Sequence, residues 1–127
     1  MKNNPVGWFE IYVDDMNRAK TFYEGVFETK LEKLPAGDLE MWNFPMSKDC
    51  SGESSGAAGA LVYMPGCKAG GGGTIVYFVC DDCAVEAARV EPAGGKVFKP
   101  KFSIGPYGFI SLVIDTEGNM IGLHSMK

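Results

Sequence analysis

The sequence predicts an α+β fold of two tandem βαβββ modules, residues 1–65 and 74–127, forming a curved mixed sheet around a central cavity. Three observations predict it. A short apolar run ends in paired aspartates and passes into an amphipathic segment at Val13-Asp14-Asp15-Met16-Asn17-Arg18-Ala19-Lys20-Thr21-Phe22-Tyr23, and the same order returns at Cys80-Asp81-Asp82-Cys83-Ala84-Val85-Glu86-Ala87-Ala88. Asp15 and Asp82 are 67 positions apart, about half the chain, as an internal duplication requires. Between the copies, residues 66–73 include four consecutive glycines and read as the linker.

Within the first module, residues 6–13 are rich in β-branched and aromatic types and predict a strand. Asp14 or Asp15 then accepts the orphan N–H groups of a following helix and suits its positive dipole end. Met16, Ala19, Phe22, Tyr23 and Val26 recur at helical spacing and predict one apolar face, with Asn17, Arg18, Lys20 and Glu24 outside. Residues 29–34 and 39–44 read as strands joined by the turn Pro35-Ala36-Gly37-Asp38. Residues 46–55 are polar and read as a loop placed to cover a pocket mouth, and residues 57–64 close the module as a strand.

The second module repeats the grammar. Residues 74–80 form its first strand, and Val85, Ala88, Arg89 and Val90 carry a helix that ends near Pro92 and Gly94-Gly95. A short strand at 96–98, a loop at 99–108, a strand at 109–114, a turn at 115–119 and a last strand at 120–125 complete it. In each module the helix covers one sheet face and leaves the other to line the cavity.

Composition excludes several classes. A chain of 127 residues suffices for one domain with its own core. The net charge of −4, without a basic cluster, argues against nucleic acid. No apolar run approaches the ~20 residues that span a bilayer, so no membrane partner is expected. Met1-Lys2-Asn3-Asn4-Pro5 lacks the apolar region of a signal peptide, which makes a cytoplasmic location the expectation. The glycine run precedes a strand and no GKS/T follows it, so it does not read as a phosphate cradle.

Four cysteines stand at 50, 67, 80 and 83. Cys80 and Cys83 have C-x-x-C spacing at a strand-to-helix junction, and a thiol redox protein using them is one alternative function. The two aspartates between them would raise a thiol pKa, opposite to what a reactive thiolate needs. A four-cysteine zinc site lacks a second tight pair.

The first junction motif, together with Asp115-Thr116-Glu117-Gly118-Asn119-Met120-Ile121-Gly122-Leu123 and Gly94-Gly95-Lys96-Val97, resembles the vicinal oxygen chelate superfamily of glyoxalase I, bleomycin-resistance proteins and extradiol dioxygenases. The resemblance covers nearly the whole chain. It implies paired βαβββ modules around a U-shaped site, often a homodimer, and a divalent metal held by His, Gln or Glu. Matched at the Asp15 junction, the implied metal slots fall on Trp8, Ile75 and Gly122, and the strand at 57–64 offers no carboxylate or imidazole. None of these ligates a hard or borderline cation. No cofactor is therefore expected.

With Trp8 facing the cavity, strand alternation turns Glu10 and Tyr12 the same way, followed by Ile75, Tyr77 and Val79 in the second module and Met120, Gly122 and His124 on the last strand. The expected ligand-binding set is Trp8, Glu10, Tyr12, Trp42, Tyr77 and His124, which suits a partly aromatic or cationic small organic ligand. Glu10 and His124 are the candidate catalytic residues and would form an acid/base pair if within reach of each other. The mundane readings are core filling for the aromatics, a structural bond for His124 and a structural partner for Glu10. The leading expectation is a small-molecule binding protein of the glyoxalase/bleomycin-resistance type without the usual metal. The rival is a metal-dependent lyase, isomerase or dioxygenase with displaced ligands, in which Glu10 is base or ligand and His124 its partner.

Overall fold

The computed structural model describes residues 5–45 and 57–127, so the polar loop read over 46–55 lies outside the described residues. The secondary structure consists of strands β1 (Val6–Tyr12), β2 (Glu32–Leu34), β3 (Glu40–Asn43), β4 (Ala58–Tyr63), β5 (Thr74–Val79), β6 (Lys96–Ser103), β7 (Phe109–Ile114) and β8 (Met120–Ser125), with helices α1 (Met16–Phe27) and α2 (Cys83–Val90). A 3-10 turn, Gly105–Tyr107, precedes β7. The fold is α+β, and β-α-β-β-β occurs twice in chain order. Among the described residues no helix is long and apolar enough to cross a membrane.

Two compact units result. Trp8–Thr74 forms one, and Ile75–Lys127, joined by the N-terminal residues through Gly7, forms the other. In the first the strand order is β2-β3-β4-β1, with β3 antiparallel to β2 and β4 and β1 parallel to β4. In the second the order is β5-β8-β7-β6, with β5 parallel to β8 and β7 antiparallel to both neighbours. Each unit thus closes a crossover through its helix, the connection that parallel strands need.

The paired aspartates divide their work. Asp15 is extended and its carboxylate accepts the Arg18 N–H at 3.0 Å, while Asp82 does the same for Ala84 at 3.0 Å. Asp14 instead accepts the Ala69 N–H at 3.1 Å and ties down the glycine-rich segment. At the other end, α1 stops at Glu28, whose left-handed φ of 50° lets its N–H return to the Glu24 carbonyl. The exit from α2 needs Gly95, because a Cβ there would meet the Ile114 carbonyl oxygen at 2.5 Å.

The first core joins Ile11, Val13, Leu61 and Trp42 of the sheet and its edges to Met16, Ala19 and Tyr23 of α1. Phe44 bridges the layers, with ring centroids 5.6 Å from Phe9 and 5.7 Å from Tyr23. Gly59 lies under the Phe9 ring, which sits 2.5 Å from where a Cβ would stand. The expectation that Phe22 and Val26 share the buried stripe is corrected: they are 59% and 57% exposed. At about 100° per residue, Met16, Ala19 and Tyr23 fall on one narrow line, and Phe22 lies about 100° to its side. Val26 lies only about 20° from Ala19 around the axis and is exposed in the last turn of α1.

The second core packs Cys83, Ala87 and Val90 of α2 against Phe78, Val97, Phe109, Val113, Ile121 and Leu123. Cys83 and Ala87 are small enough to bring the helix close, whereas Val85, Ala88 and Arg89, which the sequence marks as carrying the helix, are exposed. β6 also runs on to Ser103, across residues expected to form a loop. Pro100 is tolerated because β6 is an edge strand, and the pairing with β7 shifts register between Val97 and Lys99 and again between Lys99 and Phe102. Ser111 Oγ, on β7, donates to the Lys99 carbonyl at 2.8 Å across this irregular stretch.

Candidate functional site

The register of the first unit separates two faces. Ile11, Leu61 and Trp42 form one row across β1, β4 and β3, on the α1 side. Glu10, Ala60 and Asn43 form the next row, and Tyr12, Val62 and Met41 a third, so alternation turns these with Trp8 to the opposite face. Trp8, Glu10 and Tyr12 are spaced by two, which stacks their side chains along one strand face about 7 Å apart. The long flanking side chains close on the carboxylate between them. Trp8 Nε1–H donates to Glu10 Oε2 at 3.2 Å, and Tyr12 O–H donates to Glu10 Oε1 at 2.9 Å.

Electrostatics fix the direction of that second bond. Burial, reinforced by the negative charge and hydrogen bond of Glu10, pushes the Tyr12 hydroxyl well above the usual tyrosine range. Tyr12 therefore remains a donor at any physiological pH. The result is a half-buried carboxylate held in place between two aromatic rings. The rings offer π-faces to a cation.

Asn43 shares this face and was not foreseen from the sequence. It is 6% exposed, its Nδ2–H reaches the Phe44 carbonyl at only 3.5 Å, and its buried Oδ1 has no hydrogen-bond partner. The one available signal was a polar residue in the otherwise apolar run Met41-Trp42-Asn43-Phe44. Trp42, by contrast, does not join Glu10. It stands on the α1 face, donates Nε1–H to Glu40 at 3.1 Å and carries Lys20 Nζ 3.3 Å from its ring centroid. Its facing depends on a register with Leu61 that local pattern does not encode.

The remaining candidates belong to the second unit. Tyr77, Gly122 and His124 lie on the face away from α2, and Tyr77 pairs with Gly122 in register. A Cβ at Gly122 would fall within the Tyr77 ring, so the glycine there makes room for the aromatic side chain. His124 Nε2 lies 2.6 Å from the Tyr107 carbonyl, which can only accept, so Nε2 carries the proton. Ile75 is buried. Glu10 and His124 thus belong to different units and have different local partners.

The superfamily's divalent metal does not fit these side chains. Trp8, Ile75 and Gly122 offer no ligand atom, the Gly122 position lies against the Tyr77 ring, and β4 reads Ala-Gly-Ala-Leu-Val-Tyr. Among the described residues no group of three His, Cys, Asp or Glu side chains is arranged to hold an ion.

The cysteine pair has its own chemistry. Cys83 is fully buried, and burial, followed by the charge of Glu86, pushes the Cys80 thiol up to about 11. The sequence reading credited Asp81 and Asp82 with this effect, yet Asp82 is occupied by the Ala84 N–H and by Lys101 Nζ at 2.8 Å. Those partners hold the Asp82 carboxyl below its usual range, and Lys101 contributes most. Four-cysteine coordination cannot be assembled from the described cysteines, and Cys50 lies outside the described residues.

Comparison with known proteins gives this scaffold a family. The chain is 29% identical over 119 residues to "Putative glyoxylase CFP32" of Mycobacterium bovis and to its Mycobacterium tuberculosis counterpart, an alignment that spans 91% of this chain and 43% of the relative. The chain thus spans less than half the length of the curated relatives it matches. Methylmalonyl-CoA epimerase from Mycobacterium tuberculosis superposes with a TM-score of 0.65 at 12% identity, covering 100% of this chain and 93% of the enzyme. The hypothetical protein BH1468 from Bacillus halodurans superposes with a TM-score of 0.66 at 12% identity over 99% and 96% of the two chains. At such identities the superpositions describe fold alone. The sequence pattern of the Glyoxalase/Bleomycin resistance protein/Dioxygenase superfamily matches residues 6–123, and the chain belongs to that superfamily.

Proposed function

We propose that the Glu10 face of the first unit binds a small organic cation with an aromatic or apolar body, and that it does so without a resident divalent metal. The observation that carries this reading is the clamp on Glu10: Trp8 at 3.2 Å and Tyr12 at 2.9 Å hold both carboxylate oxygens in one geometry. A preorganised anion flanked by aromatic rings favours ammonium or amidinium groups over anions. The unsuitable donor set at Trp8, Ile75 and Gly122 supports the absence of a metal. In this reading the protein sequesters or senses its ligand in the manner of the binding members of its superfamily. Two copies associate as a homodimer, as the superfamily resemblance implies.

Calorimetric titration of phenethylamine into the protein in the presence of EDTA tests the binding reading. Saturable binding that Glu10→Gln removes is the expected result. No binding sinks it, and binding that EDTA abolishes sinks it in favour of the rival, a metal-dependent reaction with displaced ligands. Light scattering should return twice the chain mass of 13.7 kDa, and a monomer would remove the dimer from the proposal.

A further inference from the structure

We propose that helix α1 is the face through which two copies of this chain associate, packed antiparallel about a two-fold axis. The inference rests on the homodimer reading above and deepens it by naming the surface. The outer side of α1 carries a ridge and a hollow next to each other. Arg18, Phe22 and Val26 follow one another at four-residue spacing and form one row, in which Phe22 is 59% and Val26 57% exposed. The adjacent row, Thr21 and Gly25, is low. A Cβ at Gly25 would meet nothing within 4 Å, and Thr21 Oγ1 is turned back to the Asn17 carbonyl at 2.9 Å. A shallow depression follows this row, lined by Thr21, Glu24, Gly25, Glu28, Thr29 and Lys30.

Side-chain ridges at this spacing pack into grooves of the same spacing on a facing helix. Where ridge and groove are neighbours on one helix, a second copy offers the complement of both, which is the condition for a two-fold contact. Set antiparallel with Phe22 over Gly25 of the second copy, the two rows run together: Val26 meets Thr21, and Arg18 reaches the C-terminal end of the other helix at Glu28. The charges agree with this direction. Among the described residues neither Arg18 nor Glu28 is in an ion pair, while Glu24 is occupied by the Leu31 N–H at 2.9 Å. The last turn of α1 contains no basic residue to meet the negative end of the helix dipole. Arg18 of the second copy supplies one, and the two-fold axis supplies it to both helices. A parallel arrangement would instead set Arg18 beside Arg18 and Glu28 beside Glu28.

Sedimentation velocity over a concentration series tests the assignment. Gly25→Gln fills the hollow and suits a helix better than glycine, so it should be monomeric at concentrations where the wild type is dimeric, with an unchanged far-UV circular dichroism spectrum. Phe22→Glu, which removes the ridge, should behave in the same way. Arg18→Glu brings like charges together and should weaken association about tenfold, and adding Glu28→Arg to it should restore the wild-type strength. A dimer that survives both Gly25→Gln and Phe22→Glu at wild-type strength overturns the α1 face and leaves the homodimer standing on another surface. A double charge variant no stronger than Arg18→Glu alone overturns the antiparallel arrangement. A wild type that stays monomeric at every concentration overturns the homodimer reading and this inference with it.

Discussion

Replacing Tyr12 by Phe removes the hydroxyl that lies 2.9 Å from Glu10 and leaves the ring in place. The packing of the ring is preserved, so the perturbation reports the hydrogen bond. Bonds to a charged partner contribute about 1.5–3 kcal/mol, and the half-buried setting of both residues points to the lower end. For a chain of this size that corresponds to a fall in melting temperature of about 4–6 °C. Urea unfolding followed by far-UV circular dichroism should show a lower midpoint with an unchanged slope.

The same substitution has a pH signature. The Tyr12 hydroxyl has its pKa raised in the folded state, by burial first and Glu10 second. Above pH ~10 the unfolded chain has lost a proton that the folded chain keeps, so stability is full below that pH and declines as pH rises past it. Tyr12→Phe should flatten this part of the alkaline decline. Cys80, pushed up to about 11 from 9.0, adds a decline of the same sign that the substitution leaves intact. A variant with wild-type midpoint and wild-type alkaline limb would refute the clamp on Glu10.

Gly122→Ala should destabilise the second unit by about 1–3 kcal/mol, because the new methyl falls within the Tyr77 ring. Combination with Tyr77→Ala should cost clearly less than the sum of the two single changes, and strict additivity in denaturant midpoints would show that the ring does not sit there. Thiol titration at pH 7.5 should modify exposed Cys67 rapidly and Cys80 far more slowly, since a thiol near 11 is almost wholly protonated. Equal rates at the two cysteines would reopen the redox alternative.

Local signals carried far in this chain, and long-range ones did not. The Asp15 and Asp82 caps, the duplicated strand–helix order and the alternation of Trp8, Glu10 and Tyr12 all rest on neighbours within a few residues, and each was legible. The facing of Trp42 was not, because it depends on which β4 residue it meets. Leu61 opposite it sets the α1 side. The exposure of Phe22 and Val26 escaped notice because residue type does not reveal how much of the stripe the sheet can cover. Residues 99–103 read locally as loop because proline disfavours a strand interior, and the edge position of β6 makes Pro100 harmless. Asn43, on the same face of the sheet as Glu10, is a further instructive case. An asparagine in a strand reads as a solvent-facing polar residue until burial and the missing partner of Oδ1 are seen.

The superfamily scaffold and the chemistry of its site are separate matters in this protein. The strand order, the duplicated modules and the match over residues 6–123 establish the scaffold. The residues at the metal slots that the resemblance implies are tryptophan, isoleucine and glycine, which offer no ligand atom to a divalent cation. In the function proposed above, Glu10, gripped by Trp8 and Tyr12, is the group that meets the ligand.

Isothermal titration of phenethylamine into EDTA-treated protein, run in parallel with Glu10→Gln, tests that claim most directly. The account predicts saturable binding to the wild type that persists in the chelator and is lost in the variant. Binding of equal strength to both proteins, or binding that appears only after a divalent metal is restored, would contradict it.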